Sequence, residues 1–251
     1  MERFKDFSKV EDIFEIRQGA RTGLNAVFIV SKQFYFALSN NEKRFFRPAV
    51  ANDSITNGKL NDIYYVFYPH SSYLPEKINQ KNLEELVPIF FKTYLKPNEK
   101  KLLNRKGINQ WWEMTRPRVW QKNFTPKIVS KEFGKAGDFA FDKDGIYIAE
   151  RSHAWFPKND NSLGDIGYAY IALLSMPIIN DFLAGLSKQI AGGQWYLSSK
   201  FINKMPLPNL FDDSYPKELI DHLTDLGIAI SSGRQIEREV LLELSEIIYN
   251  G

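Results

Sequence analysis

The hydrophobic pattern changes character along the chain. In its first 150 residues, short runs rich in aromatic and β-branched side chains predict strands at residues 15–17, 26–30, 63–68 and 126–130, and a hairpin of 139–141 with 146–148 around a turn at 142–145. Apolar residues at helical spacing predict helices at 82–95, starting with an Asn82/Glu85 capping box, and at 166–186. Two further stripes, at 219–230 and 236–247, predict a C-terminal helical hairpin or a broken helix. The pattern therefore predicts an α+β fold, a β-rich body with packed helices.

Composition places the chain among ordinary globular proteins. It has 251 residues, 43% of them hydrophobic and 25% charged. There is no cysteine, which excludes disulfides and thiolate sites, and three scattered histidines make a histidine-based metal site improbable. The start of the chain is polar and lacks the apolar stretch of a signal peptide, and the apolar run 166–179 is too short to span a bilayer. We therefore expect a cytoplasmic location.

Charge is distributed unevenly. Residues 212–251 carry nine acidic and three basic side chains, which gives them a net charge of −6. The whole chain has a net charge of +3, so the other 211 residues together carry +9. A basic body suggests contact with a polyanion. We therefore predict two parts, a body at 1–211 that meets the polyanion and an acidic helical tail at 212–251 that serves docking or assembly. The alternative is that the tail is only an acidic surface helix pair.

Polar side chains that can read nucleic acid are concentrated in a glycine-hinged loop. Gly19 and Gly23 permit a tight turn between two predicted strands. Long or bidentate donors and acceptors of this kind suit base edges. The candidates on this loop are Arg17, Gln18, Arg21, Thr22 and Asn25. The alternative is a hairpin with solvated charges.

Further candidates lie at strand ends and in a second glycine-hinged loop after Gly192. We expect Arg151, His153 and Gln194 to contribute to base reading, as Arg21 and Asn25 do, with the aromatic Trp195 beside them. Four cations are predicted to contact phosphates: Arg116, Lys127, Lys131 and Lys200. The tryptophans near Arg116 (Trp111, Trp112 and Trp120) can stack on nucleic acid or pack in the core, and the core is the more usual place for tryptophan.

No catalytic centre is recognisable in the sequence. Residues 19–23 lack the lysine and spacing of a phosphate-binding P-loop, and neither an adenosylmethionine-type G-x-G nor an Asn/Asp-Pro-Pro-aromatic motif is present. A metal-dependent nuclease would need a strand carrying Glu-x-Lys after a carboxylate. Asp138 with Glu150 comes nearest, but Ser152 stands where the lysine belongs. We predict no catalytic residue, metal or cofactor site in this chain.

The order of these pieces resembles the C-terminal target recognition domain of TaqI-like adenine-specific DNA methyltransferases and related restriction–modification enzymes. The resemblance covers roughly residues 12–210. The features that carry it are 19–28, Arg47-Pro48, 53–55, 64–68, a helix running into Arg105, Trp112-Glu113, Arg116-Pro117, 126–129, 142–145, Gly192-Gly193 and 205–208.

The resemblance implies a domain that docks in the major groove of double-stranded DNA and sets the target sequence. Catalysis, with S-adenosylmethionine as cofactor, would then belong to a methyltransferase or nuclease domain or subunit outside this chain. Two other classes stay open: a protein-binding or scaffold module whose aromatic loops recognise a polypeptide, and a metal-dependent nuclease using Asp138 and Glu150.

Overall fold

Strands are spread over most of the chain, from residue 14 to residue 196. The structure, a computed structural model, describes residues 4–74, 76–190 and 192–250. The strands are β1 Phe14–Gln18, β2 Ile29–Ser31, β3 Phe46–Val50, β4 Ile55–Thr56, β5 Lys59–Leu60, β6 Tyr64–Phe67, β7 Lys127–Lys131, β8 Phe133–Gly134, β9 Phe139–Asp142, β10 Ile148–Ala149, β11 Ser152–Pro157, β12 Gln189–Ile190 and β13 Gln194–Tyr196.

Helices lie between and after these strands. They are α1 Val10–Ile13, α2 Asn25–Phe28, α3 Lys32–Ala37, α4 Asn40–Lys43, α5 Leu83–Leu86, α6 Pro88–Phe90, α7 Glu99–Leu103, α8 Ile166–Ser175, α9 Ile178–Leu186, α10 Ser199–Ile202, α11 Lys217–Ser232 and α12 Arg238–Asn250. A π-helical turn at Phe91–Leu95 joins α6 toward α7. Helices and several mostly antiparallel sheets together confirm the predicted α+β class.

Two four-stranded sheets form the framework of the described chain. The first sheet has the order β1-β11-β7-β9 and is antiparallel throughout. The second has the order β10-β3-β6-β2, and its β10–β3 pair is parallel. The first sheet shares a core with α8, α9 and the C-terminal helices, and the second shares one with α2 and α5–α7. The links β1 to β2 and β10 to β11 therefore both cross from one sheet to the other.

The strand predictions at 15–17, 63–68 and 126–130 are confirmed by β1, β6 and β7. The predicted strand at 26–30 is wrong in its first part, where α2 precedes the short β2. The Thr22 hydroxyl accepts the Leu24 N–H at 3.1 Å, and the Val27 N–H donates to the Leu24 carbonyl at 3.0 Å. These bonds begin a helical turn that buries Val27 and Phe28 in the second core, so burial and not strand pairing explains the first part of the apolar run.

The predicted hairpin at 139–148 is also wrong. β9 ends in a turn as expected, but β10 pairs with β3 of the other sheet. The buried Arg47 guanidinium donates to the Gly145 and Ile146 carbonyls at 2.9 and 2.8 Å, and the Asp142 carboxylate accepts the Ile146 N–H at 3.1 Å. These bonds turn the chain away from β9 and toward the second sheet.

The helix predictions are confirmed in position and differ in detail. Helix α5 begins at Leu83, but Asn82 Oδ1 accepts the Asn79 N–H at 2.7 Å, and no side-chain cap forms. The helix breaks at Pro88, which has no N–H to donate. Helices α8 and α9 are bent by 74° at residues 176–177. Within the described residues no single helix is long and apolar enough to cross a membrane. The bent pair reaches that length and apolar composition only when its two helices are taken together.

The two predicted C-terminal helices are confirmed by α11 and α12. Helix α11 ends at Gly233, whose φ of 95° lies in the left-handed region that favours glycine. It packs on α8 so closely that a Cβ on Gly227 would stand 1.8 Å from the Tyr168 carbonyl oxygen. The buried Leu223 and Ile230 join the core of the first sheet. The tail thus contacts the body, and its division at residue 212 and its docking role stay predictions.

Candidate nucleic-acid interface

Two segments that cross between the sheets lie side by side. The Gly19 N–H donates to the Ser152 carbonyl at 2.9 Å, and the Ala20 N–H donates to the Ala149 carbonyl at 2.7 Å. A Cβ on Gly19 would stand 2.4 Å from the Ala149 oxygen, closer than a methyl group can approach. Glycine at position 19 therefore permits the first glycine-hinged loop and the Glu150–His153 segment to meet.

A cleft of about 620 Å³ opens over this crossing and is called the crossing cleft here. Six side chains predicted from the sequence line it, although they come from two segments more than 120 residues apart. They are Gln18, Arg21, Thr22, Asn25, Arg151 and His153. The cleft therefore brings together the first glycine-hinged loop and the strand-end candidates.

The crossing cleft is lined by two arginines, Arg21 and Arg151, and by the carboxylates of Glu132 and Glu150. Arg21 and Arg116 exchange two backbone hydrogen bonds of 3.0 Å, which sets their exposed side chains on neighbouring strand-like segments. Arg151 has a φ of 47°, and its side chain is 67% exposed, 3.9 Å from a Glu150 oxygen. Burial, followed by the charges of Arg116 and Arg21, lowers the pKa of the neighbouring Arg118. Two exposed guanidinium groups, those of Arg21 and Arg151, therefore lie at the crossing cleft, and the exposed Arg116 lies next to Arg21.

The floor of the crossing cleft is polar and largely buried. Glu150 is 2% exposed, and burial raises the pKa of its carboxyl group against the effect of a hydrogen bond from Asn25. Burial lowers the pKa of His153, which favours the neutral imidazole. Within the described residues, Glu150 Oε2, Ser152 Oγ and His153 Nδ1 have no hydrogen-bond partner. The floor of the crossing cleft thus carries three buried polar atoms with unmet hydrogen-bonding capacity.

Thr22 and Asn25 contribute to loop geometry more than to the exposed surface. The Thr22 hydroxyl donates to Asn25 Oδ1 and accepts the Leu24 N–H. Thr22 is fully buried and Asn25 is partly buried. Because the Thr22 hydroxyl and the Asn25 carbonyl oxygen bind each other, these two groups are not free for the predicted contacts with base edges.

A second cleft of about 780 Å³, called the Arg116 cleft here, continues from the first. The two clefts share Gln18 and Thr115 in their linings. Arg17 lines the second cleft, donates from Nε to Glu15 at 2.9 Å and lies 5.0 Å above the Phe156 ring. The guanidinium of Arg17 is therefore partly neutralised, whereas Arg116 at the same cleft forms no ion pair within the described residues.

The prediction that Lys127 contacts a phosphate is wrong. Its side chain is 3% exposed, and its Nζ donates to Asp142 Oδ2 at 2.5 Å. Burial lowers the pKa of Lys127, and the Asp142 carboxylate acts in the opposite direction. The Lys127 ammonium group therefore pairs with a carboxylate inside the first sheet and is out of reach of DNA.

Four other candidates line neither cleft. Lys131 forms a mostly buried ion pair of 2.6 Å with Asp138, and Trp195 packs against the first core. Gln194 lies on β13, and Lys200 is exposed on α10. The structure does not bring the second glycine-hinged loop to the crossing cleft, because β13 pairs with β12 and β8 elsewhere.

The tryptophans near Arg116 pack mainly inside the protein. Trp111 and Trp112 are buried in the second core. Trp120 is partly buried, with its ring 5.3 Å from that of Phe156. Trp111 and Trp112 therefore pack in the core, which is the more usual place for tryptophan.

Two arginines that shape the site were absent from the sequence-based candidates. Arg105 donates to the Thr22 carbonyl at 2.6 Å and to the Trp111 and Glu113 carbonyls at 2.7 and 2.8 Å. Arg118 donates to the Gly19 carbonyl and to Gln18 Oε1, both at 3.0 Å. Both arginines reach backbone carbonyls of the first loop, 83 and 99 residues away along the chain, and no local motif marks such contacts.

The nuclease alternative gains no support from the geometry. Asp138 is bonded to Lys131 and to the Lys135 N–H, and it does not line the crossing cleft with Glu150. In the part of the chain that the structure describes, no group of three or more histidine or acidic side chains is placed to hold a metal ion.

The fold is similar to parts of two solved restriction–modification enzymes. MmeI, a type IIL restriction–modification enzyme whose structure is a complex with DNA, matches with a TM-score of 0.55 and 12% identity, over 97% of this chain and 36% of that one. BpuSI, a type IIG restriction endonuclease, matches with a TM-score of 0.56 and 13% identity, over 90% of this chain and 27% of that one. No family model and no curated protein matches the sequence.

This chain therefore spans about a third of MmeI and about a quarter of BpuSI. At such low identity the likeness concerns the fold. The neighbours are restriction–modification enzymes, the broader class named by the predicted resemblance, and the narrower TaqI-like assignment stays a prediction.

Proposed function

We propose that this chain recognises double-stranded DNA and sets the target sequence of a restriction–modification enzyme, with adenine methylation as the expected chemistry of that enzyme. The observation that carries the proposal is the crossing cleft, where two segments distant in sequence place Arg21 and Arg151 over a polar floor, with Arg116 beside Arg21 in the adjoining cleft. Structural similarity to MmeI and BpuSI supports the same class of protein.

The exposed arginines have the geometry that the role needs. A guanidinium group donates two parallel hydrogen bonds, which match the O6 and N7 acceptors of guanine in the major groove or two oxygens of a phosphate. Arg21 and Arg151 are exposed and come from different segments, so they can reach neighbouring base pairs. Arg116, paired through its backbone with Arg21, is suited to the adjacent phosphate backbone.

Catalysis is assigned to a part of the enzyme outside this chain. The described residues include no evident metal cluster, and the sequence has no recognisable adenosylmethionine motif. We expect the isolated chain to bind DNA without methylating or cutting it when S-adenosylmethionine and Mg²⁺ are supplied. Methyl transfer or cleavage that a point substitution in this chain abolishes would contradict the assignment.

The decisive experiment compares binding to a preferred and a scrambled duplex. The preferred site is first selected from a random duplex pool with the purified chain at low salt. Arg21→Ala or Arg151→Ala should weaken binding to the preferred duplex by about 1–3 kcal/mol and have a much smaller effect on the scrambled one. Lys200→Ala, an exposed lysine outside both clefts, is the matched control and should leave the preference unchanged.

Two results would oppose the proposal. Equal losses on both duplexes would reduce Arg21 and Arg151 to phosphate contacts. No binding to any duplex at low salt would favour the polypeptide-binding alternative, because the electrostatic attraction between a basic surface and DNA is strongest there.

A further inference from the structure

An apolar side chain projects from the basic surface beside the Arg116 cleft. Val119 is 78% exposed, more than any other large hydrophobic residue in the described chain. It lines the Arg116 cleft together with Arg116, Arg118 and Lys122. This position places an apolar group beside three cations, on the surface that the proposed function brings to DNA.

The backbone that carries Val119 is strained. Arg118, immediately before it, has φ 65° and ψ 114°, a combination that L-residues rarely adopt. Such a conformation costs about 1–3 kcal/mol and persists only where the surroundings over-determine it. Here the Arg118 side chain is tied to the Gly19 carbonyl and to Gln18 Oε1, both at 3.0 Å.

The other end of the turn is anchored to the second crossing segment. The buried Gln121 accepts the Ala149 N–H on Oε1 at 2.7 Å and donates from Nε2 to the Ala149 carbonyl at 3.3 Å. The Gln121 carbonyl also accepts from Arg47. Val119 is therefore held at a defined position relative to the same two segments that carry Arg21 and Arg151.

We propose that Val119 contacts the C5 methyl group of a thymine in the major groove, and this inference rests on the proposed DNA-recognition function. The thymine methyl is the apolar group on the base edges that the major groove exposes, and short apolar side chains read it by contact. Wedges that enter a base step and unstack it are longer side chains, such as phenylalanine, leucine or methionine. Valine is short and stiff at χ1, which suits a contact with one methyl group.

The test removes that methyl group alone. Each thymine of the preferred duplex is replaced in turn by uracil, and the dissociation constant of the full chain is measured by fluorescence anisotropy. At one position, loss of the methyl should weaken binding about fourfold, as expected for one buried carbon group. Val119→Ala should weaken binding to the thymine duplex by a similar factor and show no further loss with uracil at that position.

Val240→Ala is the matched control, because Val240 is an exposed valine on the C-terminal helix α12 and lies outside both clefts. It should keep the full response to uracil. Thermal unfolding should show both variants folded, since neither side chain is buried.

The outcomes separate the inference from the proposed function. If the chain prefers its site but no uracil replacement matters, or if Val119→Ala keeps the uracil response, the methyl contact is overturned and DNA recognition stands. If the unmodified chain binds no duplex, both are overturned.

Discussion

At the scale of single residues, Glu150 shows how the candidate site acts against stability. Its carboxyl group is buried in the floor of the crossing cleft, and one of its oxygens has no hydrogen-bond partner within the described residues. Burial raises the pKa of Glu150 above its ordinary 4.5, so the folded protein binds this proton more tightly than the unfolded chain does. The contribution of Glu150 to stability is therefore complete below the ordinary pKa and is lost as the pH rises through the raised value.

A substitution that removes this titration should reveal the effect. As the pH rises from about 4 to about 8, the free energy of unfolding of Glu150→Gln should increase relative to that of the unmodified protein, because the amide never becomes charged. Urea denaturation at each pH measures the difference. Parallel curves for the two proteins would show that the carboxyl group is not penalised by burial.

The buried pair of Lys127 with Asp142 is the second residue-scale case. Lys127→Ala should lower the free energy of unfolding by about 3–5 kcal/mol, because it leaves the Asp142 charge buried without its cation. Lys200→Ala, an exposed lysine, should change stability by about 0.5 kcal/mol or less. Denaturant titration compares the two variants, and an equal stability for both would contradict the buried ion pair.

At the scale of elements, the candidate site depends on two inter-sheet links and not on either sheet alone. Gly19→Ala should separate the links, because the added Cβ would stand 2.4 Å from one carbonyl oxygen and 2.9 Å from another. We expect a loss of about 1–3 kcal/mol of stability, typical of overpacking, together with weaker discrimination between preferred and scrambled duplexes.

Gly164→Ala is the matched control for Gly19→Ala. Gly164 has a positive φ but no atom within 4 Å of its ideal Cβ position. Its cost should be limited to the backbone conformation, about 1–2 kcal/mol, with no change in duplex preference. Unaltered discrimination in Gly19→Ala would show that the crossing is not needed for recognition.

Helix packing at the C-terminus supplies another element-scale prediction. Gly227→Ala should push α11 away from α8, since its Cβ would meet the Tyr168 carbonyl at 1.8 Å. Alanine favours a helix by about 1 kcal/mol over glycine, so a measured loss of stability would come from the helix contact. Ile228→Ala, at a half-exposed neighbouring position, should be nearly neutral. Thermal unfolding distinguishes them, and a stabilised Gly227→Ala variant would contradict the close packing.

At the scale of the whole molecule, charge separates the basic body from the acidic tail. With +9 on residues 1–211 and −6 on residues 212–251, DNA should meet the body. The logarithm of the binding constant should fall linearly with the logarithm of salt concentration, with a slope of about −0.9 for each phosphate contact. Arg116→Ala should reduce that slope by about one contact on every duplex.

Lys217→Ala, an exposed lysine at the start of α11, is the control and should leave the slope unchanged. Anisotropy titrations between about 50 and 200 mM salt measure both variants. An affinity independent of salt would place the contact with DNA outside the basic body.

Much of the local structure was predictable because it is encoded over a few residues. Alternating and β-branched runs identified β1, β6 and β7, and apolar spacing identified α8, α9 and the two C-terminal helices. Glycines at 19 and 23, with their polar neighbours, identified one wall of the crossing cleft. In these segments the local conformational preference and the tertiary packing favour the same structure, so the sequence alone predicts it.

What the sequence by itself determined is therefore the element types, the charge asymmetry and the candidate residues. Only the tertiary structure decided which candidates meet: Arg21 and Arg151 at one cleft, Lys127 inside the sheet and Gln194 elsewhere. The physical reason is that these outcomes depend on bonds between distant residues. Arg47 draws the chain after β9 to the second sheet, and Gly19 allows that returning chain to touch the first loop. No short-range pattern of hydrophobic and polar residues records such contacts.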